Sequence, residues 1–189
     1  MARPEAIYRK FLLSSKISNE TVQKAIDFIM EINRDDDLKE KEYIDWKREP
    51  ILLYINSFGG SVYDGLALVD IIQESKTPVY TIVIGSAMSM ALWIFLAGKK
   101  KFIGENATLM FHDISQSIQD KIEGIKNELN EDLRLRNMLI NKIVSTTAIT
   151  EKQLNDYIAR KAEWYIPADE AIKLKIADSY YKEEIEWYN

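Results

Sequence analysis

Hydrophobic and polar positions along the chain follow two periods. Short runs dense in aliphatic and β-branched residues read as buried strands, and stretches with apolar residues three and four apart read as helices. The strand runs are Phe11–Leu13, Ile51–Ile55, Val79–Ile84, Lys101–Ile103, Thr108–Phe111 and Trp164–Ile166. Between them lie helical patterns at Glu20–Ile32, Ser61–Ser75, Met90–Leu96, Ile118–Ser145, Glu151–Lys161 and Ala168–Leu174. Ser18 stands where the first helix needs a cap. Repeated strand–helix units predict an α/β domain with a mostly parallel sheet and helices on both faces. No repeat or composition shift divides the chain, so residues 1–189 read as a single domain.

One stretch tests that reading. Residues 79 to 98 carry no charge, and Lys99, Lys100 and Lys101 follow at once. The length would suit a membrane span with a positive flank. The internal pattern argues otherwise: Val79–Ile84 is strand-like, Gly85 interrupts it, Ser86, Ala87 and Ser89 are small, and a helix follows from Met90. A strand, a small-residue turn and a helix belong in a core, so no membrane association is expected.

Composition narrows the class further. Hydrophobic residues make up 47% and charged residues 29%, ordinary values for a globular protein. The formal charge of -5 leaves no basic stripe for nucleic acid. With no cysteine there is neither a disulfide framework nor a thiolate site, and no metal or cofactor is expected. The opening MARPEAIYRKFLL lacks the apolar core of a secretory signal, which favours a cytoplasmic protein. Residues 34–50 (RDDDLKEKEYIDWKREP) are strongly charged and read as a solvated helix extension and loop.

Three places hold residues that packing alone does not call for. Asn56-Ser-Phe-Gly-Gly-Ser61 joins a strand to a helix, and paired glycines there can aim backbone N–H groups at an anion. Glycine is also common in such turns for steric reasons. Ser89 sits after a strand at the mouth of a helix, where a hydroxyl can be held exposed beside helix-end N–H groups. Ser86 is its rival, nearer the strand end. His112 is the only histidine and ends the run Thr108–Phe111, at the strand end where α/β folds build their sites. A serine nucleophile needs a base within reach, and His112 is the one candidate imidazole. A lysine dyad using Lys99 to Lys101 is the competing chemistry, although those lysines suit a surface turn.

Taken together, these residues resemble the proteolytic subunit of the Clp protease, the ClpP family. The likeness runs through Leu53-Tyr-Ile-Asn-Ser-x-Gly-Gly-Ser-Val, Gly65, Asp70, the turn at Pro78 and Ile84-Gly-x-Ala-x-Ser-Met. It continues through Ala97-Gly, Asn106-Ala-x-Leu-Met-x-His, Pro167-Ala-x-Glu-Ala-Ile and Ile176-Ala-Asp178. It covers roughly residues 50 to 180, leaving 1–50, with its charged insertion 34–50, as a divergent N-terminal part. The resemblance implies the ClpP/crotonase-like spiral of β-β-α units with a protruding handle helix. It implies a serine endopeptidase acting on polypeptides, with Ser89 as nucleophile, His112 as general base, and the Gly60 and Met90 N–H groups as oxyanion hole. The family's aspartate falls five residues before Ala168, a place held here by Glu163, with Asp156 as the alternative; Asp113 is too close to His112 in sequence. A homo-oligomeric ring of seven, single or double, and a ring ATPase partner are likewise implied.

Several residues depart from the family pattern. Phe58 replaces the proline before the glycine pair, Asp113-Ile114 replaces Gln-Pro after the histidine, residues 115–124 lack a glycine pair, and Ala162 replaces an arginine linking two rings. Each touches ring stacking or ATPase docking, and such divergence also resembles the ClpP-like proteins of bacteriophages. Two other classes remain to be weighed: a catalytically idle ring scaffold that keeps the fold, and a crotonase-class acyl-CoA enzyme, which builds a comparable oxyanion hole without needing the Ser–His pair.

Overall fold

The computed structural model describes residues 8–114 and 121–182. In chain order the elements are β1 (Lys10–Leu13), α1 (Asn19–Glu42), β2 (Ile51–Ser57), α2 (Val62–Glu74), β3 (Val79–Met88), α3 (Met90–Leu96), β4 (Lys100–Ile103), β5 (Thr108–Phe111), α4 (Ile122–Thr146), α5 (Glu151–Ala159), β6 (Trp164–Pro167), α6 (Ala168–Lys173) and β7 (Ser179–Tyr180). The alternation is that of an α/β domain. Strands β1, β2, β3, β4 and β7 lie side by side in that order, all parallel. Strand β7, absent from the apolar pattern, is only two residues long and pairs with β4.

The site is positioned by the way β3 changes partners. Val79–Val83 runs between β2 and β4, whereas Ser86–Met88 pairs with Thr108–Met110 of β5. Between the two halves the register against β2 slips, from Ile55 opposite Val83 to Ser57 opposite Ala87. Gly85 takes up the slip at φ +75°, where a Cβ would lie 2.7 Å from the Asn56 side-chain oxygen. That oxygen accepts from the Ser86 N–H (3.2 Å), replacing a ladder bond that the bulge removes. The strand expected to end at Ile84 therefore continues to Met88: Gly85 makes a bulge, not a stop.

Helix α3 follows directly, and all seven of its residues are buried. The uncharged stretch is thus the inside of the molecule, and no helix among the described residues is long and apolar enough to cross a membrane. Helix α4 divides into two halves. Leu135, Leu139, Ile140 and Ile143 are buried, while Ile122, Ile125 and Leu129 in the N-terminal half are exposed. The start expected at Ile118 lies outside the described residues; Lys121, the residue before the helix, is extended. Midway along α4, Glu131 accepts from the Tyr63 hydroxyl of α2 (2.6 Å) and pairs with Arg134 (2.6 Å). These partners hold the exposed Glu131 carboxyl down to about 2, the Arg134 hydrogen bond leading.

The charged segment 34–50 is more than a solvated face. Helix α1 runs ten residues past its expected end at Ile32, to Glu42, and the loop after it folds back over the helix. Asp36 is fully buried there. Arg9, just before β1, grips both of its oxygens (2.6 and 2.9 Å), and Thr77 and Trp46 donate to it as well (2.6 and 3.2 Å). Arg48 in the returning loop meets Asp37 and Glu40 of α1 (2.5 and 2.7 Å). Burial works to raise the Asp36 carboxyl, but the bonds from Arg9, Thr77 and Trp46 outweigh it and hold the group below its ordinary value of 3.8.

Replacing Asp36 with alanine leaves the Arg9 guanidinium buried without its counter-charge, a change that costs about 3–5 kcal/mol in comparable sites. A urea titration of Asp36→Ala at neutral pH should show that loss. Because the folded-state pKa is depressed, Asp36's contribution is present above 3.8 and disappears as pH falls through the lower folded value. The gap between wild type and variant should therefore narrow only in strong acid.

Candidate active site

Ser89 stands at the end of β3 as the residue preceding α3, with φ 52° and ψ −127°. A side-chain-bearing residue in that region is strained by about 1–3 kcal/mol and persists only where its surroundings dictate it. Three contacts do so. The Ser89 N–H donates to the Met110 carbonyl of β5 (3.0 Å), and the Ser89 carbonyl accepts from Leu92 N–H as α3 begins (3.0 Å). Gly59 packs directly against the other side: a Cβ on Gly59 would lie 2.7 Å from Ser89 Cβ and 2.6 Å from the Met88 carbonyl oxygen.

The glycine turn is itself clamped by the segment before α1. Ile17 N–H donates to the Gly59 carbonyl (2.9 Å), and the Ile17 carbonyl accepts from Ser61 N–H (2.9 Å). Gly60, at φ +153°, lies between those bonds, and a Cβ there would sit 2.2 Å from the Ile17 carbonyl oxygen. Ser57 closes the turn, donating to the Ser15 carbonyl (2.6 Å) and accepting from Gly59 N–H (3.1 Å). The Ile17 bonds bypass the Gly60 N–H, and Met90, first residue of α3, has no intrahelical acceptor for its N–H. Gly60 and Met90 both line the cleft that Ser89 lines.

These residues share one cleft of about 70 Å³ with His112: Gly60, Ser89, Met90 and His112 on its polar side, and Trp93, Phe111 and Leu139 among its apolar walls. His112 is half-buried at the end of β5. The next residue, Asp113, faces Arg136 of α4 at 3.4 Å, so the segment leaving the histidine is tied to the long helix. No hydrogen bond joins His112 to Ser89 in the isolated chain, a separation that apo sites often show.

Glu163 does not line this cleft. It lies just before β6, whose antiparallel pairing with β5 ends at Phe111 opposite Trp164. One step further along that register sets Glu163 across from His112, and its carboxylate accepts from the Tyr165 hydroxyl (2.5 Å). No hydrogen bond joins Glu163 to His112. Asp156 is exposed on α5 and is not among the cleft's residues. The other rivals have different tasks. The Ser86 hydroxyl is directed to Asn56 (3.3 Å) in the bulge. Lys99 to Lys101 stand at the opposite end of α3 from Ser89, where Lys100 lies over the Tyr80 ring and Lys101 pairs with Asp178. Asn56 and Ser57 belong to the stretch whose glycine pair stood out in the sequence, and they build the frame around it; Ile17, which clamps the turn, carries no sequence signal.

The family profile described as Clp protease matches residues 8–184. The ATP-dependent Clp protease proteolytic subunit of Deinococcus radiodurans is 31% identical over 132 residues, covering 69% of this chain and 64% of that protein. Proteolytic subunit 3 of Synechococcus sp. is 32% identical over 133 residues, 69% of this chain and 66% of that one. Proteolytic subunit 1 of Borreliella burgdorferi is 29% identical over 174 residues, 90% and 83% of the two chains. The chain thus spans a little under two thirds of the length of the first two relatives.

A methyl group at position 59 has no room beside Ser89. Gly59→Ala should lower stability by about 1–3 kcal/mol through the imposed φ and the collision together, read as a fall in the urea midpoint. Phe58→Ala, one residue away at an exposed side chain, should leave that midpoint within about 0.5 kcal/mol of wild type.

Proposed function

Because the chain belongs to the Clp protease family, we propose that it is a serine endopeptidase of the ClpP type. The observation that carries this reading is Ser89, held at a strained strand-to-helix junction and lining one cleft with Gly60, Met90 and the chain's only histidine. In the proposed reaction Ser89 Oγ attacks a peptide carbonyl while His112 takes its proton. Gly60 and Met90 N–H groups receive the oxyanion, a contribution of about 3 kcal/mol per donor in comparable sites. His112 then passes the proton to the leaving amine, and a water molecule repeats the sequence to free the acid product. Glu163 accepts from the second imidazole nitrogen and so fixes its tautomer.

The apolar residues exposed on the projecting half of α4 support an oligomeric reading. Ile122, Ile125 and Leu129 recur at helical spacing and leave an apolar stripe in the single chain. We assign it to contact between copies, in a homo-oligomeric ring of seven, single or double, that encloses the clefts and receives polypeptides from a ring ATPase. A second reading, the idle scaffold, is favoured by one observation: Ser89, His112 and Glu163 are not joined by hydrogen bonds in the isolated chain.

A fluorophosphonate probe separates the two. Wild type should be labelled and cleave peptides, and Ser89→Ala should lose both, by at least about 10³-fold, with an unchanged melting curve. An unlabelled wild-type ring would establish the scaffold instead. Sedimentation at micromolar concentration should give a particle seven or fourteen times the 22.0 kDa chain. A sharp species at the monomer mass would remove the ring.

A further inference from the structure

The proposed triad differs from the family's at its third member, and the structure holds a second difference beside it. Strand β6 alternates its side chains: Trp164 is buried and stacks flat on Tyr157 of α5 (4.7 Å between centroids, 2° between planes), which fixes the roll of the strand. Glu163 and Tyr165 therefore project together from the other face. The Tyr165 hydroxyl donates to Oε2 of Glu163 at 2.5 Å. Tyr165 is otherwise half open to solvent, and this bond to Glu163 is its one described side-chain hydrogen bond.

We infer that Tyr165 is a positioning residue, whose hydroxyl holds Oε2 of Glu163 so that Oε1 is presented to His112; this rests on the reading of Glu163 as the third triad member. A glutamate has one more rotatable bond than the aspartate it replaces, so a freely rotating carboxylate at this exposed position would meet the imidazole only part of the time. Pinning one oxygen removes that freedom and leaves the other with its full acceptor capacity. The strands favour the pair, since the β5–β6 ladder ends at Phe111 opposite Trp164 and its register, continued by one residue, brings Glu163 across from His112, where side chains of opposite residues can meet. The phenol remains a donor throughout the working range, because its bond to Glu163 and that carboxylate's charge push the Tyr165 pKa above its ordinary value of 10.0.

The pH dependence of Ser89 reactivity reads the arrangement, since a carboxylate held against an imidazole favours its charged form. Among the described residues, the titratable and charged groups set nearest His112 by the strand register and by sequence are Glu163 with Tyr165 from β6, and Asp113 with its partner Arg136 of α4. The experiment measures the second-order rate of fluorophosphonate labelling from pH 5 to 9 on the full chain. It compares wild type, Tyr165→Phe, Glu163→Ala and the double variant, with melting curves to confirm folding. Tyr165→Phe should lower the plateau rate about fivefold, the order of one partly exposed hydrogen bond to a charged group. It should also move the acid limb to lower pH. Glu163→Ala should do the same to a greater extent, and adding Tyr165→Phe to it should change nothing more. An unchanged or faster Tyr165→Phe overturns the inference, and so does an equal loss in both Glu163 backgrounds, which would mark a structural effect. A Glu163→Ala variant that labels like wild type removes the triad assignment itself, and the inference with it.

Discussion

The structure depends on β3 serving two sets of partners. Its first half is closed in by β2 and β4, and its second half has left β4 and pairs with β5. A parallel strand cannot make that change without a local excess of chain, and Gly85 supplies the backbone conformation while Asn56 repairs the hydrogen bonding. Everything near the cleft follows from the shift. It delivers Ser89 to the mouth of α3, brings His112 in at the end of β5, and aligns β6 behind it.

A second constraint acts at the other end of the sheet. Arg9 reaches from the start of β1 to the buried Asp36 of α1, while Thr77, before β3, holds the same carboxylate. One acid therefore ties together the edge strand, the long helix and the connection into β3. The segment between β1 and α1 in turn clamps the Gly59–Gly60 turn through Ile17. The N-terminal part, with its charged segment, is thus physically continuous with the wall of the cleft.

Much of this was legible in the residue pattern. The alternation of strands and helices and the burial of the uncharged stretch followed from apolar runs, and Ser89 and His112 stood out as polar residues at strand ends, while Gly60 and Met90 were added individually by the family resemblance. What could not be read were features decided by distant partners. Gly85 reads as a stop because local sequence does not reveal that β5 waits beyond it. The charged run after Ile32 reads as a solvated extension, since nothing local announces that Arg9, 27 residues before Asp36, will neutralise it inside the fold. Strand β7 carries no apolar run at all and exists because β4 offers an edge. Glu163 was singled out only through the family's spacing to Ala168, with Asp156 as the alternative, whereas its bond to Tyr165 depended on side-chain direction along β6.

The left-handed backbone of Ser89 has a further meaning for the life of the chain. That conformation is not a property of the residue but is imposed jointly by β5, α3 and the Gly59 turn. Loosening any of the three lets the serine relax to negative φ and move relative to Gly60 and Met90, well before the core as a whole gives way. Whatever reactivity resides there is conditional on an intact fold. A chain still being made, or one beginning to fail, lacks the geometry that the finished fold imposes on this residue.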